Sequence, residues 1–122
     1  MTYNIMSCIR EESDRMVFNT GAALLDAIVL AAVSKEENGT YGYKITQDVR
    51  SVLEVSESTL YPVLRRLQKE GSLETYDEAI NGRNRRYYRI TATGITKLTE
   101  CIVAWEDYST KITKLFKGED IS

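Results

Sequence analysis

The sequence predicts a mainly α-helical domain with a two-stranded β-wing, closed by one long C-terminal helix. Three observations carry that expectation. Apolar residues recur at spacings of three and four in four separate stretches, which is the mark of helices with one buried face. "LETYDEA", 73–79, and the tyrosine-rich "RRYYRI", 85–90, flank an Asn-Gly pair and read as a hairpin. The last helical stretch keeps its period from Ile95 to Phe116, longer than a domain of this size can cover.

Length and composition set the bounds. A chain of 122 residues suits one domain with its own core and is short for two. With 43% apolar and 28% charged residues it matches a globular protein and excludes a collagenous, disordered or disulfide-scaffold chain. Cys8 and Cys101 are far apart and fit no metal-ligand spacing, so both read as reduced thiols. The start of the chain carries Arg10, Glu11, Glu12, Asp14 and Arg15 and does not read as a signal peptide. The most apolar run, Ala22 to Val33, is broken by Asp26 and falls short of the ~20 residues of a membrane span. A cytoplasmic protein without membrane contact is expected.

Taken in order, residues 1–18 lack a clean period and read as an N-terminal arm with at most a short helix near Glu11 to Phe18. From Thr20 a first helix presents Leu24, Leu25, Ile28, Val29, Ala32 and Val33 on one face. Ala22, Ala23, Leu30 and Ala31 make its other faces apolar, so burial nearly all round, against a partner chain, is expected. "KEENGT", 35–40, is turn chemistry. A second helix spans about Gly42 to Leu53, with Tyr43, Ile45, Val49, Val52 and Leu53 as inward candidates. Ser56 or Ser58 caps a third, striped by Leu60, Val63, Leu64 and Leu67 and closed at Gly71. Pro62 is tolerable there if it falls within the first turn or so.

"INGRN", 80–84, reads as the hairpin tip, and Thr91 or Thr93 caps the final helix. Along it Ile95, Leu98, Ile102, Trp105, Ile112 and Phe116 form a seam interrupted only by Ser109, with the alternation of a coiled coil. Some 22–25 residues make about 33–38 Å of helix at 1.5 Å per residue, and a second copy is expected to cover it. The predicted organisation is therefore an arm at 1–18, a winged helix-turn-helix domain at 19–91 and a dimerisation helix at 92–118. The dimer interface is assigned to Leu24, Leu25, Ile28, Leu98, Ile102, Trp105, Ile112 and Phe116.

"NGRNRRYYRI", 81–90, packs four arginines into a chain of net charge -2. Net charge does not decide whether such a chain binds nucleic acid, because phosphates are felt within about a Debye length of the docking face. Three helices followed by a wing allow the third helix to enter a major groove while the hairpin lies against the neighbouring backbone. The residues placed at that interface are Tyr43, Ser56, Ser58, Thr59, Tyr61, Arg65, Arg83, Asn84, Arg85 and Arg86, whose hydroxyls, phenols and guanidinium forks suit phosphates and base edges. A solvated basic surface is the alternative for the same strip. Arg89 is expected to neutralise a carboxylate on the paired strand, Tyr87 or Tyr88 to enter the core, Glu57 to be a first-turn helix charge, and Arg66 and Lys69 to form a polar helix face.

"YGYKITQDV", "SESTLYPVLRRLQKEG" and "GRNRRYYRIT" stand in the order and near the spacings of a known pattern. It comprises a GY-x-I second helix, a TLYP-x-L recognition helix and a G-R-x-(R/K)-(R/K)-Y-Y-x-(L/I)-T wing. The chain thus resembles, over roughly residues 20–117, the PadR family of bacterial transcriptional regulators. Tyr41 stands where a histidine is common, Asn84 where a proline is common, and residues 1–18 have no counterpart. The resemblance implies a homodimeric winged-helix repressor of the small class, bound to double-stranded DNA, dimerising through its first and last helices and needing no cofactor. Trp105 has two readings: an interface anchor, or, as the resemblance to drug-sensing members implies, part of a cavity between subunits where a small aromatic effector stacks. Glu106 and Asp107 would favour a cationic effector there, or simply face solvent.

Two other function classes are weighed. A winged helix that has given up DNA for a protein partner is compatible with the acidic total. An enzyme is not expected: there is no histidine, neither cysteine has an identifiable catalytic base, and no phosphate-cradling glycine loop occurs.

Overall fold

The computed structural model describes residues 21–119, so the expected arm at 1–18 and the helix start at Thr20 lie outside the described residues. The elements are α1 (Ala22–Ser34), β1 (Thr40–Tyr41), α2 (Gly42–Arg50), α3 (Glu57–Lys69), β2 (Leu73–Ile80), β3 (Arg83–Ile90) and α4 (Ala92–Phe116). The fold is mainly helical, with a wing and a long last helix, as the patterning predicts.

Local chemistry sets the boundaries. Ser56 caps α3, its hydroxyl accepting the Thr59 amide at 3.3 Å. At the other end Gly71 takes φ 86°, the Ser72 amide bonds the Leu67 carbonyl at 2.9 Å, and the Gly71 amide bonds Gln68 at 3.0 Å. That doubly bonded left-handed stop turns the chain directly into β2. Thr91 caps α4 by accepting the Gly94 amide at 3.0 Å.

Four boundaries differ from the sequence reading. The second helix stops at Arg50, because Ser51, Val52 and Leu53 tighten into a turn whose amides bond Asp48 and Val49. Thr40, read as the end of a turn, and Tyr41 form a third strand that pairs with Tyr88 and Tyr87, giving the antiparallel order β1-β3-β2. Pro62 is the sixth residue of α3, not a first-turn residue. It therefore denies the Ser58 carbonyl a helical bond on the exposed side of the helix. The hairpin tip is Asn81-Gly82 alone, with φ of 54° and 77°; this primed turn matches the strand twist and lets both strands run on, so Arg83 and Asn84 are strand residues.

The core is built by Val29, Leu30 and Val33 of α1, Ile45 and Val49 of α2, Leu60, Leu64 and Leu67 of α3, and Leu73 and Tyr88 of the wing. Of the two tyrosines at 87 and 88, Tyr88 is the core residue, and burial raises its hydroxyl pKa above the ordinary value. In the single chain α1 is not buried all round: Ala31 and Ser34 are exposed, and Leu24, Leu25 and Ile28 are half-covered. It packs along α4, where Ala23 meets Ala104 beside Leu24 and Tyr108. Cys101 is buried on this side and disulfide-bonded, which corrects its reading as a free thiol; Cys8 lies outside the described residues.

The corner where α4 leaves the wing admits no side chain at residue 94. A Cβ on Gly94 would lie 2.2 Å from the Ser72 carbonyl oxygen and 2.7 Å from the Ile90 side chain. Backbone cannot yield as a flexible side chain can. Gly94→Ala is expected to cost about 1–3 kcal/mol, read as a lower denaturant midpoint at unchanged slope.

Candidate nucleic-acid interface

The exposed face of α3 opposes its core stripe. Leu60, Leu64 and Leu67 point inward, while Ser58, Tyr61, Pro62 and Arg65 lie at spacings of three and four on the outside. The Ser56 hydroxyl lies 3.0 Å from that of Ser58 and 3.2 Å from that of Thr59, so the three form a hydroxyl cluster at the helix start.

The wing separates the arginines by strand alternation. The register Leu73↔Ile90 and Thr75↔Tyr88 puts Asn84, Arg86 and Tyr88 on the inner face and Arg83, Arg85, Tyr87 and Arg89 on the outer one. Opposite them on β2 stand Glu74, Asp77 and Glu78, three carboxylates against four arginines. Arg89 pairs with Glu74 at 2.9 Å, as the sequence leads one to expect, and Arg86 with Asp77 at 3.4 Å. Both pairs are half exposed, a setting in which such contacts are worth about 0–1 kcal/mol and are readily exchanged for a phosphate. Arg83 and Arg85 have no ion-pair partner among the described residues.

Tyrosines organise the outer face. Tyr76 stacks on Tyr87 with centroids 5.4 Å apart, and Tyr41 meets Tyr87 edge-on at 5.7 Å. The Arg85 guanidinium lies 4.3 Å from the Tyr41 ring centroid and that of Arg89 lies 4.9 Å from Tyr76. Tyr41 thereby holds Arg85 at the edge of the sheet nearest α2. That support was missed in the sequence, where Tyr41 was only a departure from a pattern.

Helix and wing meet in an open groove of about 370 Å³. Gly42 and Tyr43 line it from the start of α2, Tyr61 from α3, and Asn84, Arg85 and Arg86 from β3. Five of the ten predicted contact residues thus converge, while Ser56, Ser58, Thr59 and Arg65 lie along the exposed side of α3 and Arg83 lies beside the tip. Gln47 donates to the Tyr43 hydroxyl at 3.1 Å, steadying a ring that is 57% exposed. Gly42, which sequence reasoning passed over, leaves room for Tyr61: a Cβ there would stand 2.9 Å from Cε1 of the Tyr61 ring and 3.1 Å from its hydroxyl oxygen. A glycine immediately before a helical tyrosine was the available signal.

A helix-turn-helix whose third helix lies beside an arginine-bearing wing, with hydroxyls and guanidiniums along one open face, defines a transcription regulator of the DNA-binding winged-helix class. Residues 29–100 match the family described as "Transcriptional regulator PadR-like family", and the chain belongs to that family. Its members are transcriptional regulators rather than enzymes. The transcriptional regulator Rv3488 of Mycobacterium tuberculosis is 38% identical over 77 residues, 62% of this chain and 72% of that protein. A PadR-like transcriptional regulator from Bacillus cereus has a similar structure, with a TM-score of 0.73 at 33% identity over 82% of this chain and 98% of that one. PadR of Bacillus subtilis, solved in complex with operator DNA, shares the fold at a TM-score of 0.60 and 21% identity, covering 66% of this chain and 47% of that one. No helix among the described residues is long and apolar enough to cross a membrane.

Gly42→Ala separates site from scaffold. Alanine near a helix start is expected to leave stability unchanged or raise it by up to about 1 kcal/mol, while displacing Tyr61 and weakening DNA binding. Thermal melting and a duplex titration of the same preparation check both halves.

Proposed function

We propose that the protein is a homodimeric repressor that binds a pseudo-palindromic operator through α3 and the wing and is released by a small aromatic effector. The observation that carries this reading is the groove between Tyr43, Tyr61 and the β3 arginines, because it puts phosphate-binding and base-reading groups within reach of one stretch of duplex. On this reading Tyr43, Arg83, Arg85 and Arg86 hold the backbone, while Ser58, Thr59, Tyr61 and Arg65, on and beside the groove, face base edges and Ser56 and Asn84 flank them.

The dimer is supported by what a single chain leaves uncovered. Ile102, Trp105 and Phe116 are 46%, 40% and 82% exposed along a helix of 25 residues, beside Ile95 at 53%. Leu24 and Ile112 are half-buried next to them, whereas Leu25, Ile28 and Leu98 also pack against the chain's own core. A second copy on α1 and α4 would cover this surface and set two recognition helices about one helical turn, ~34 Å, apart. Trp105 lies 6.1 Å from Tyr108, centroid to centroid, with the rings tilted by 47°. The pair offers one aromatic wall to a planar effector, and quenching of Trp105 fluorescence by planar aromatic cations reports it.

The three carboxylates facing the wing arginines favour one alternative, a protein-interaction module without DNA affinity. The two readings separate on salt. The repressor reading expects the chain to bind the DNA upstream of its own gene as a dimer, more tightly than a scrambled duplex and with affinity falling steeply as salt rises. Arg85→Ala should weaken binding on every duplex and reduce the salt slope by about 1, whereas Ser58→Ala or Tyr61→Phe should change preference among sequences. Weak, salt-insensitive binding would support the interaction module.

A further inference from the structure

Asp26 is a buried charge that the groove does not use. It lies in the apolar stretch of α1 with its side chain 8% exposed. Its carboxylate accepts two bonds from Arg66 of α3, Nη2 to Oδ1 at 2.6 Å and Nη1 to Oδ2 at 3.1 Å. Lys97 of α4, 17% exposed, lies 3.3 Å from the same Oδ2. Lys97 also donates at 2.7 Å to Glu70, the C-cap of α3, and Glu70 accepts the Ser72 hydroxyl at 3.1 Å. Arg66 is therefore more than the polar helix face read from the sequence. The hydrogen bond to Asp26 raises the Arg66 pKa above its ordinary value.

The contacts of α3 differ in kind. Leu60, Leu64 and Leu67 hold it by apolar burial, which is non-directional and tolerates small sliding and rotation. A two-pronged guanidinium-carboxylate pair fixes both distance and direction. Arg66 leaves the helix next to Arg65 and five residues after Tyr61, so fixing its azimuth fixes the side of α3 that carries those two residues.

We infer that Asp26 is a positioning residue for DNA recognition: by clamping Arg66, with Lys97 as the third member, it sets the rotation of α3 against α1 and α4 without touching DNA. This rests on the reading of α3 as the recognition helix. The clamp also ties that helix to α4, so a shift of α4 against its neighbours would reach the base-reading face through Lys97.

The test compares full-length variants on two duplexes, one selected from a randomised pool by the parent protein and one scrambled, well below each variant's melting temperature. Asp26→Asn is expected to lose about tenfold in affinity for the selected duplex and to change little on the scrambled one. Arg66→Lys, which keeps the charge and loses the two-pronged bond, should do the same. Lys97→Gln keeps the Asp26–Arg66 pair and should show a smaller loss on the selected duplex only; it decides the matter if Asp26→Asn does not fold. Parent-like affinity of Arg66→Lys and Lys97→Gln, or equal losses on both duplexes, would overturn the inference. A parent protein that enriches no duplex would overturn the DNA reading itself, and this inference with it.

Discussion

The arrangement of the helices depends on one carboxylate in an apolar setting. Asp26 interrupts α1 where the chain is otherwise Ala, Leu, Ile and Val, and it is tolerated because Arg66 and Lys97 arrive from two other helices. Stripping a buried carboxylate of its partner costs about 3–5 kcal/mol, against a total stability of roughly 5–15 kcal/mol for a domain. Because Arg66 is itself half exposed, the lower end of that range applies here. The apolar core supplies most of the stability, and the ion cluster selects one relative orientation of α1, α3 and α4 from those the core alone would accept.

Orientation matters because the docking surface is composite. Tyr43, Tyr61 and Arg86 come from three elements, and each is useful to a duplex only where the others are also placed. The wing contributes less charge than its sequence advertises, since carboxylates on β2 pair with two of its four arginines. What it contributes is geometry: the Asn81-Gly82 turn keeps both strands in register to the tip, and the tyrosine stack holds Arg85 at the sheet edge. An acidic chain can thus present a local basic strip, and exposed ion pairs such as Arg86–Asp77 add little resistance to a phosphate that displaces the carboxylate.

Much of this was legible in the sequence. Helix periods, the Ser56 cap, the Gly71 stop and the Asn-Gly hairpin each have a local cause, and local causes are what a sequence displays. The pairing of Arg89 with a carboxylate across the hairpin could be read because strand neighbours follow from register. The features that escaped depend on contacts between distant segments. Strand β1 is only two residues long and exists because β3 offers it an edge. Asp26 and Arg66 are forty positions apart, and nothing near either announces the other. The same holds for Gly42, whose role appears once Tyr61 is folded against it. Half of the predicted contact residues share the groove, and the rest follow the exposed side of α3 and the wing tip, a grouping that depends on how α2, α3 and β3 meet.

The central claim is that duplex DNA docks across α3 and the arginine-bearing tip half of the wing. Mapping backbone amide chemical shifts while the selected duplex is added tests it most directly. The account predicts perturbations concentrated at residues 42–43, 56–65 and 83–86, with the C-terminal half of α4 little changed. Perturbations confined to α4, or to the Tyr76 and Arg89 side of the wing, would contradict it.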